Sequence, residues 1–433
     1  MSRHQNVPPP ATVRPGAPTP VKSSPEDELM YHDFAELSVK VAKRPLVLFF
    51  GRPTFSDNTK YLFLATAKAA IGCDVVWCTF SKPLATELRK RGLPCFDLTA
   101  DMRQSCNLLL EAAVAVFCEN PAAALNLNSG LSGCLAGAQK LQLWHGISVK
   151  QLDLMLISHM EVRDNYFRRQ LRFATRVDHF LSTSATLDAF WIRAFGCTSL
   201  VRAGQPRNEV IVRAPTEDEM IGAELPREQL DLINSPKRKF LVTPTWQRGT
   251  PIYISTPAFY ERLTRWATAN DAIAFVKPHP FLRRSELPKD VPGRLLFLDA
   301  GVDVYPWMSK FDAMITDYSS IMFDFMLTNR PIFTFNTRTQ VAYGFEPDYS
   351  LIPEGSFRYE FTAENFEAVV EKNLADHPLR IEQQKLCAQL HETPPEDACA
   401  QLVQFIAECS RNVVDKSFTL TNPLKPAELR AAV

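Results

Sequence analysis

Residues 313–326 read AMITDYSSIMFDFM. A short apolar run meets an acid, a tyrosine and two serines. Apolar residues then resume at 321, 323, 325 and 326. The first part has the length and composition of a buried strand, and the last has helical spacing. The stretch therefore reads as strand, tight polar turn, helix. Working outward, the same pattern recurs. Strand candidates in the second half are KFLVTPT (239–245), AIAFVKPHP (272–280), RLLFLDA (294–300) and PIFTFN (331–336). The first half offers PLVLFFG (45–51), DVVWCTF (74–80), AVAVFCE (113–119), LQLWHG (141–146), HFLSTS (179–184) and a short SLVRAG (199–204). Helix-like segments such as TKYLFLATAKAA (59–70) fill most gaps. Apolar strands alternating with helices predict an α/β protein whose parallel sheets are covered on both faces.

The strand runs fall into two groups divided around 205–238, which predicts two Rossmann-like domains, 31–205 and 206–360, facing a central crevice. Residues 361–433 read as helices packing back across the structure, with a flexible end. Residues 1–30 are rich in Pro and polar side chains and read as a disordered tail.

Composition narrows the function. Lys plus Arg and Asp plus Glu are 48 each, so formal charge is zero and no global field draws the chain to nucleic acid. No two of the 10 cysteines are spaced as CxxC, which argues against a zinc ribbon or a redox pair and fits reduced thiols. No His/Asp cluster suggests a metal site. The N-terminus lacks the apolar core of a signal peptide, and no apolar run approaches the roughly 20 residues that span a bilayer. A cytoplasmic protein, soluble or peripheral, is expected.

In open α/β sheets ligands bind beyond the carboxyl ends of the strands, and this chain places its reactive residues there. His145-Gly146 follow LQLW, Lys277-Pro278-His279 follow AIAFV, and Asp317-Tyr318-Ser319-Ser320 follow AMIT. Gln247-Arg248 follow FLVTPTW, and Pro206-Arg207-Asn208 follow VRAGQ. A helix start with two hydroxyls suits a phosphate, although serine there is also an ordinary cap. Two prolines stiffen KPHP and fix where Lys277 and His279 point. Arg207 offers a planar donor fork. Gly146 allows close backbone approach, and His145 is a candidate base, although a lone histidine after a strand is more often structural.

Taken in order, WHG…K, GQPRNE, PTW, KPHP and DYSSIMFDF…RPI make the chain resemble the CDP-glycerol glycerophosphotransferase family of teichoic acid primases and polymerases, over roughly residues 44–345. The resemblance implies a GT-B-like fold and no cofactor. It implies transfer of glycerol phosphate, or a related alditol phosphate, from CDP-glycerol or CDP-ribitol to a hydroxyl of a lipid-linked glycan or polymer. CMP would be released, in teichoic-acid-like or capsule polymer synthesis. On this resemblance His145 is the base and His279 contacts the donor diphosphate. Ser319 and Ser320 bind that diphosphate, and Arg207 and Lys277 neighbour it. Asp317 orients a histidine or the donor, and Gly146, Lys150, Asn208 and Arg248 complete the substrate contacts. The sequence departs from the family pattern at Ile147-Ser148-Val149, where Thr-Pro-Leu is usual, and that is where acceptor differences are expected. It also departs at Gln247, which shifts Arg248 by one, and at Glu209, where Asp is usual.

The family's acceptors imply work at the inner face of the cell membrane. Residues 161–176, EVRDNYFRRQLRFATR, combine five arginines with Tyr166, Phe167, Leu171 and Phe173, as an interfacial helix would, although an ordinary solvated basic helix has the same composition. Two competing functions remain at this level: a GT-B glycosyltransferase using a nucleotide sugar in capsule or lipopolysaccharide assembly, and a non-catalytic scaffold.

Overall fold

A computed structural model describes residues 25–150, 152, 154–155, 177–245, 251–279, 287–337, 347–352 and 356–421. Arg248, the arginine-rich segment 161–176 and the Pro-rich stretch before residue 25 lie outside these.

The chain forms two sheets. The first holds β1 (Arg44–Phe50), β2 (Asp74–Thr79), β3 (Cys95–Asp97), β4 (Ala112–Phe117), β5 (Gln139–Gln142), β6 (His179–Ser182) and β7 (Leu200–Arg202), in the order β3-β2-β1-β4-β5-β6-β7. The second holds β8 (Arg238–Thr243), β9 (Ala272–Val276), β10 (Leu295–Phe297), β11 (Ala313–Thr316), β12 (Ile332–Phe335) and β13 (Tyr359–Phe361), in the order β10-β9-β8-β11-β12-β13. Every pairing within them is parallel. Phe49 sits between Trp77 and Val116, and Ile315 between Val242 and Phe333. All of β4, β9, β11 and β12 is buried, which is why these strands are continuous apolar runs instead of alternating ones.

Both sheets start at their centre, run outward one way, then return to the centre and run out the other way. The reversal lies between β1 and β4 in one sheet and between β8 and β11 in the other. Neighbouring loops diverge at such points and leave a gap for a ligand. The α/β class and the GT-B-like arrangement of two parallel sheets are both present.

The strand expected at 141–146 stops at Gln142, because Trp144 takes a left-handed backbone, φ 55°, and turns the chain toward the crevice. The last helix, Ala398–Thr421, returns to the first sheet. Its Leu402, Ile406 and Cys409 join Val47, Phe49, Leu62 and Phe63 in one apolar core. Among the described residues no helix is long and apolar enough to cross a membrane.

Candidate functional site

A cleft of about 500 Å³ opens between the carboxyl ends of the two sheets. Its first wall carries Arg52, Thr54, Ser56, Asp57, His145 and Lys150, from the loops after β1 and β5. The facing wall carries Thr245, Lys277, His279, the 300–305 loop, Ser319 and Ser320. The loops after β8, β9, β10 and β11 supply these residues.

His145 stands on a constrained turn. Trp144 donates its backbone N–H to Gln142 Oε1 at 3.0 Å, and the Trp144 carbonyl accepts from Asn58 Nδ2 at 2.9 Å. The imidazole stacks on the Trp144 indole, with centroids 4.2 Å apart. Its Nδ1 lies 3.2 Å from the Cys118 carbonyl oxygen. A carbonyl only accepts, so Nδ1 carries the proton and Nε2 carries a lone pair. Burial, then the positive charge of Arg52, pull the ring's pKa down to about 3, against the opposing pull of Asp57. The ring is neutral near pH 7.

Gly146 adopts φ +118°, and a Cβ there would lie 2.7 Å from Arg207 Nη2 and 3.5 Å from Ser320 Oγ. Only glycine lets the His145 turn sit this close to the facing wall. Ile147 and Val149 are buried in the apolar core, and Ser148 Oγ accepts from the Lys150 backbone N–H at 3.0 Å. The Ile-Ser-Val departure thus changes packing under the turn. None of the three lines the cleft. Lys150 does reach the cleft, its ammonium 4.6 Å from the centroid of the Tyr318 ring.

Arg207 lines the cleft but its amino groups are already engaged. Nη1 donates to Asp57 Oδ1 at 2.6 Å, Nη2 donates to Asp324 Oδ2 at 2.7 Å, and the guanidinium lies over Tyr305. Asn208, fully buried, donates to Asp324 Oδ1 at 3.0 Å and does not line the cleft. Asp317 is also away from the cleft wall. It accepts from the Thr245 hydroxyl at 2.5 Å and from the Thr245 and Tyr318 backbone N–H groups at 2.8 and 2.6 Å. It therefore fastens the end of β11 to the end of β8 and sets where Ser319 begins. Ser320 makes no side-chain capping bond to the helix Ile321–Phe325, so its hydroxyl is not used as a cap. Lys277 donates to the Ala300 carbonyl at 2.5 Å, and burial lowers its pKa to about 8.

The structure therefore brings His145, Lys150, Arg207, Lys277, His279, Ser319 and Ser320 to one cleft and leaves Asn208 and Asp317 behind its walls. Sequence reasoning missed Arg52, Asp57, Tyr305 and Asp324. Burial pushes the Asp57 carboxyl up, but Arg207 and Arg52 outweigh it and hold the group below the usual range. The available signal was GRPTFSDN, a polar run directly after β1 at the reversal point.

The profile of the CDP-Glycerol:Poly(glycerophosphate) glycerophosphotransferase family matches residues 33–360. The chain is 25% identical over 254 residues to the teichoic acid poly(glycerol phosphate) polymerase of Bacillus subtilis, covering 56% of this chain and 33% of that protein. It is 24% identical over 225 residues to the teichoic acid glycerol-phosphate transferase of Staphylococcus aureus, covering 48% of this chain and 52% of that protein. It thus spans from a third to about half of these relatives' lengths. A structure of the wall teichoic acid polymerase TagF has a TM-score of 0.64 at 18% identity, over 89% of this chain and 95% of that one. The glycosyltransferase SnogD from Streptomyces nogalater has a TM-score of 0.50 at 13% identity, over 83% and 99%. The two structural likenesses establish the fold alone. The profile match covers most of the chain, and on it the protein belongs to the CDP-glycerol:poly(glycerophosphate) glycerophosphotransferase family.

Proposed function

We propose that this protein transfers an alditol phosphate from a CDP-alditol, glycerol or ribitol, to a hydroxyl of a lipid-linked polymer at the inner membrane face, releasing CMP. The observation that carries the reading is His145: a neutral imidazole, its Nδ1–H held by the Cys118 carbonyl, in the same cleft as Lys277, His279, Ser319 and Ser320. The first sheet's domain presents the acceptor and the second sheet's domain holds the donor.

The acceptor oxygen attacks the β-phosphorus while its proton passes to His145 Nε2. The bond from the β-phosphorus to the bridging oxygen breaks, and CMP departs with that oxygen. The new phosphodiester stays on the acceptor, and the proton later leaves His145 for solvent. Charge grows on the non-bridging and bridging oxygens, where preformed cations and donors lower the barrier. Lys277 and His279 face the diphosphate, and Ser319 and Ser320 bond its oxygens. Asp317 and Arg207 hold the walls in place.

Purified protein should be incubated with CDP-glycerol, CDP-ribitol and common UDP-sugars, each with a lipid-linked primer. The expected result is CMP release with growth of the primer by an alditol phosphate. UDP release with sugar transfer would overturn the proposal in favour of a glycosyltransferase.

A further inference from the structure

Resting on the proposed phosphate transfer, the geometry points to Arg52 as a further catalytic residue: the cation, supplied by the acceptor-side domain, that grips the transferring β-phosphate.

The cleft's cations differ in what they have left to offer. Arg207 has both amino groups on carboxylates. Lys277 spends one proton on the Ala300 carbonyl, and Lys150 lies over the Tyr318 ring. Arg52 is ion-paired through Nε to Asp57 Oδ2 at 3.1 Å, and that buried Nε–H makes no hydrogen bond. Its side chain nevertheless remains 33% exposed and lines the cleft. Among the described residues neither of its amino groups makes a hydrogen bond, and Glu119 adds a carboxylate within electrostatic reach. A guanidinium anchored on one side and open on the other is prepared to take two oxygens of a phosphate.

Its position fits the reacting atom. The loop that carries Arg52 touches the donor wall: a Cβ at Gly301 would lie 3.0 Å from Thr54 Cγ2, and Gly301 follows the Ala300 whose carbonyl holds Lys277. Arg52, His145 and Lys277 line the same cleft, and the Arg52 charge disfavours protonation of both other groups, so it lies within electrostatic reach of the base and of the diphosphate cation. The atom attacked must lie between His145 and the diphosphate site, bonded on one side to an oxygen that His145 deprotonates and on the other to the diphosphate bridge. Arg52 adds positive charge to the non-bridging oxygens as the two bonds exchange, and the step needs no further reactant. Because Arg52 and Lys277 come from different sheets, the phosphate site is complete only with both domains in place.

The test is Arg52→Gln beside Arg52→Lys in the full chain. Asp57 keeps Arg207 as its partner in both, so its charge is not orphaned. Arg52→Gln should lower kcat for CMP release on the order of 10²–10³-fold, with Arg52→Lys partly restoring it. Calorimetric titration supplies the second readout, using CDP, which has a β-phosphate, and CMP, which has none. Arg52→Gln should weaken CDP by roughly tenfold or more and leave CMP unchanged. Equal weakening of both nucleotides, or no effect on CDP, overturns the assignment. If the wild type binds both nucleotides yet releases no CMP from a CDP-alditol, the proposed reaction fails while the CDP-against-CMP comparison still decides Arg52. A wild type that binds neither nucleotide overturns both.

Discussion

A histidine whose Nδ1 proton is committed to a carbonyl can accept a proton only at Nε2, and His145 is built that way by the Cys118 carbonyl. Its environment makes it a weak base, with a pKa lowered to about 3 by burial and the Arg52 charge. A general base works best near the operating pH. Under the proposed transfer, a donor diphosphate beside the ring would offset Arg52 and favour the imidazolium. Imidazole nitrogen shifts, followed by NMR against pH, should show a ring that stays neutral down to at least pH 5 in the free protein. Its pKa should climb when CDP is added, and an unchanged pKa with CDP bound would sink the idea. The sign for stability follows. The folded pKa is depressed below the unfolded value of about 6.5, so the unfolded chain binds more protons between the two. The contribution is complete above about pH 6.5 and is lost as pH falls toward 3. His145→Gln should therefore flatten the stability-against-pH curve in that window.

At the scale of elements, the short helix Ile321–Phe325 illustrates what sequence can and cannot reveal. Phe323, Phe325 and Met326 are buried, as the apolar pattern suggests, while Ile321 is half-buried; Met322 is buried too, and so is Asp324. Its carboxylate accepts from Arg207, from the Tyr305 hydroxyl at 2.7 Å and from Asn208, three groups contributed by two segments, the 206–208 turn and the 305–310 turn. Removing one partner of a buried, satisfied ion pair leaves the other charge stranded. Asp324→Ala should thus cost about 3–5 kcal/mol in urea unfolding. The double replacement Asp324→Leu, Arg207→Met should cost less than the sum of its parts, and a loss of under about 1 kcal/mol for Asp324→Ala would show that Asp57 alone suffices for Arg207. Sequence reading found His145, Lys277 and Ser319 because a topological rule says where strand ends point. It missed Asp324 because an acid between phenylalanines looks like the wet stripe of an amphipathic helix, and its arginine lies 117 residues away. Arg52 and Asp57 escaped for a related reason: Gly-Arg-Pro after a strand looks like a surface turn until the facing domain is placed over it. The edge strands β3 and β13 each place an acid within their three residues, whereas the equally short edges β7 and β10 keep adjacent apolar residues and are legible.

For the whole molecule the question is whether the two sheets act as independent bodies, since a cleft built from both works only if its width is fixed. One continuous apolar core runs from Phe180, Phe190 and Trp191 on the first sheet's side to Phe240, Ile254 and Tyr305 on the second's. Lys60, with no exposed surface, reaches from the first domain to Asp303 Oδ2 at 2.8 Å and to the Glu219 carbonyl at 2.7 Å. Tyr61 donates to the same Asp303 oxygen at 2.7 Å. The helix Ala398–Thr421 leaves the second domain and buries its apolar face on the first. A boundary this well bonded couples the unfolding of its two sides. Scanning calorimetry should therefore show one heat transition, with calorimetric and van't Hoff enthalpies in agreement. Lys60→Ala strands the Asp303 charge in the interior and should cost about 3–5 kcal/mol. Because the lost bond lies on the boundary itself, the variant's single transition should split or broaden, where a core substitution of equal cost, such as Leu241→Ala within β8, should only move it. Two resolved transitions in the wild type would mean that the halves are independent. The spacing between His145 and Lys277 would then have to be set by the substrates instead of by the fold.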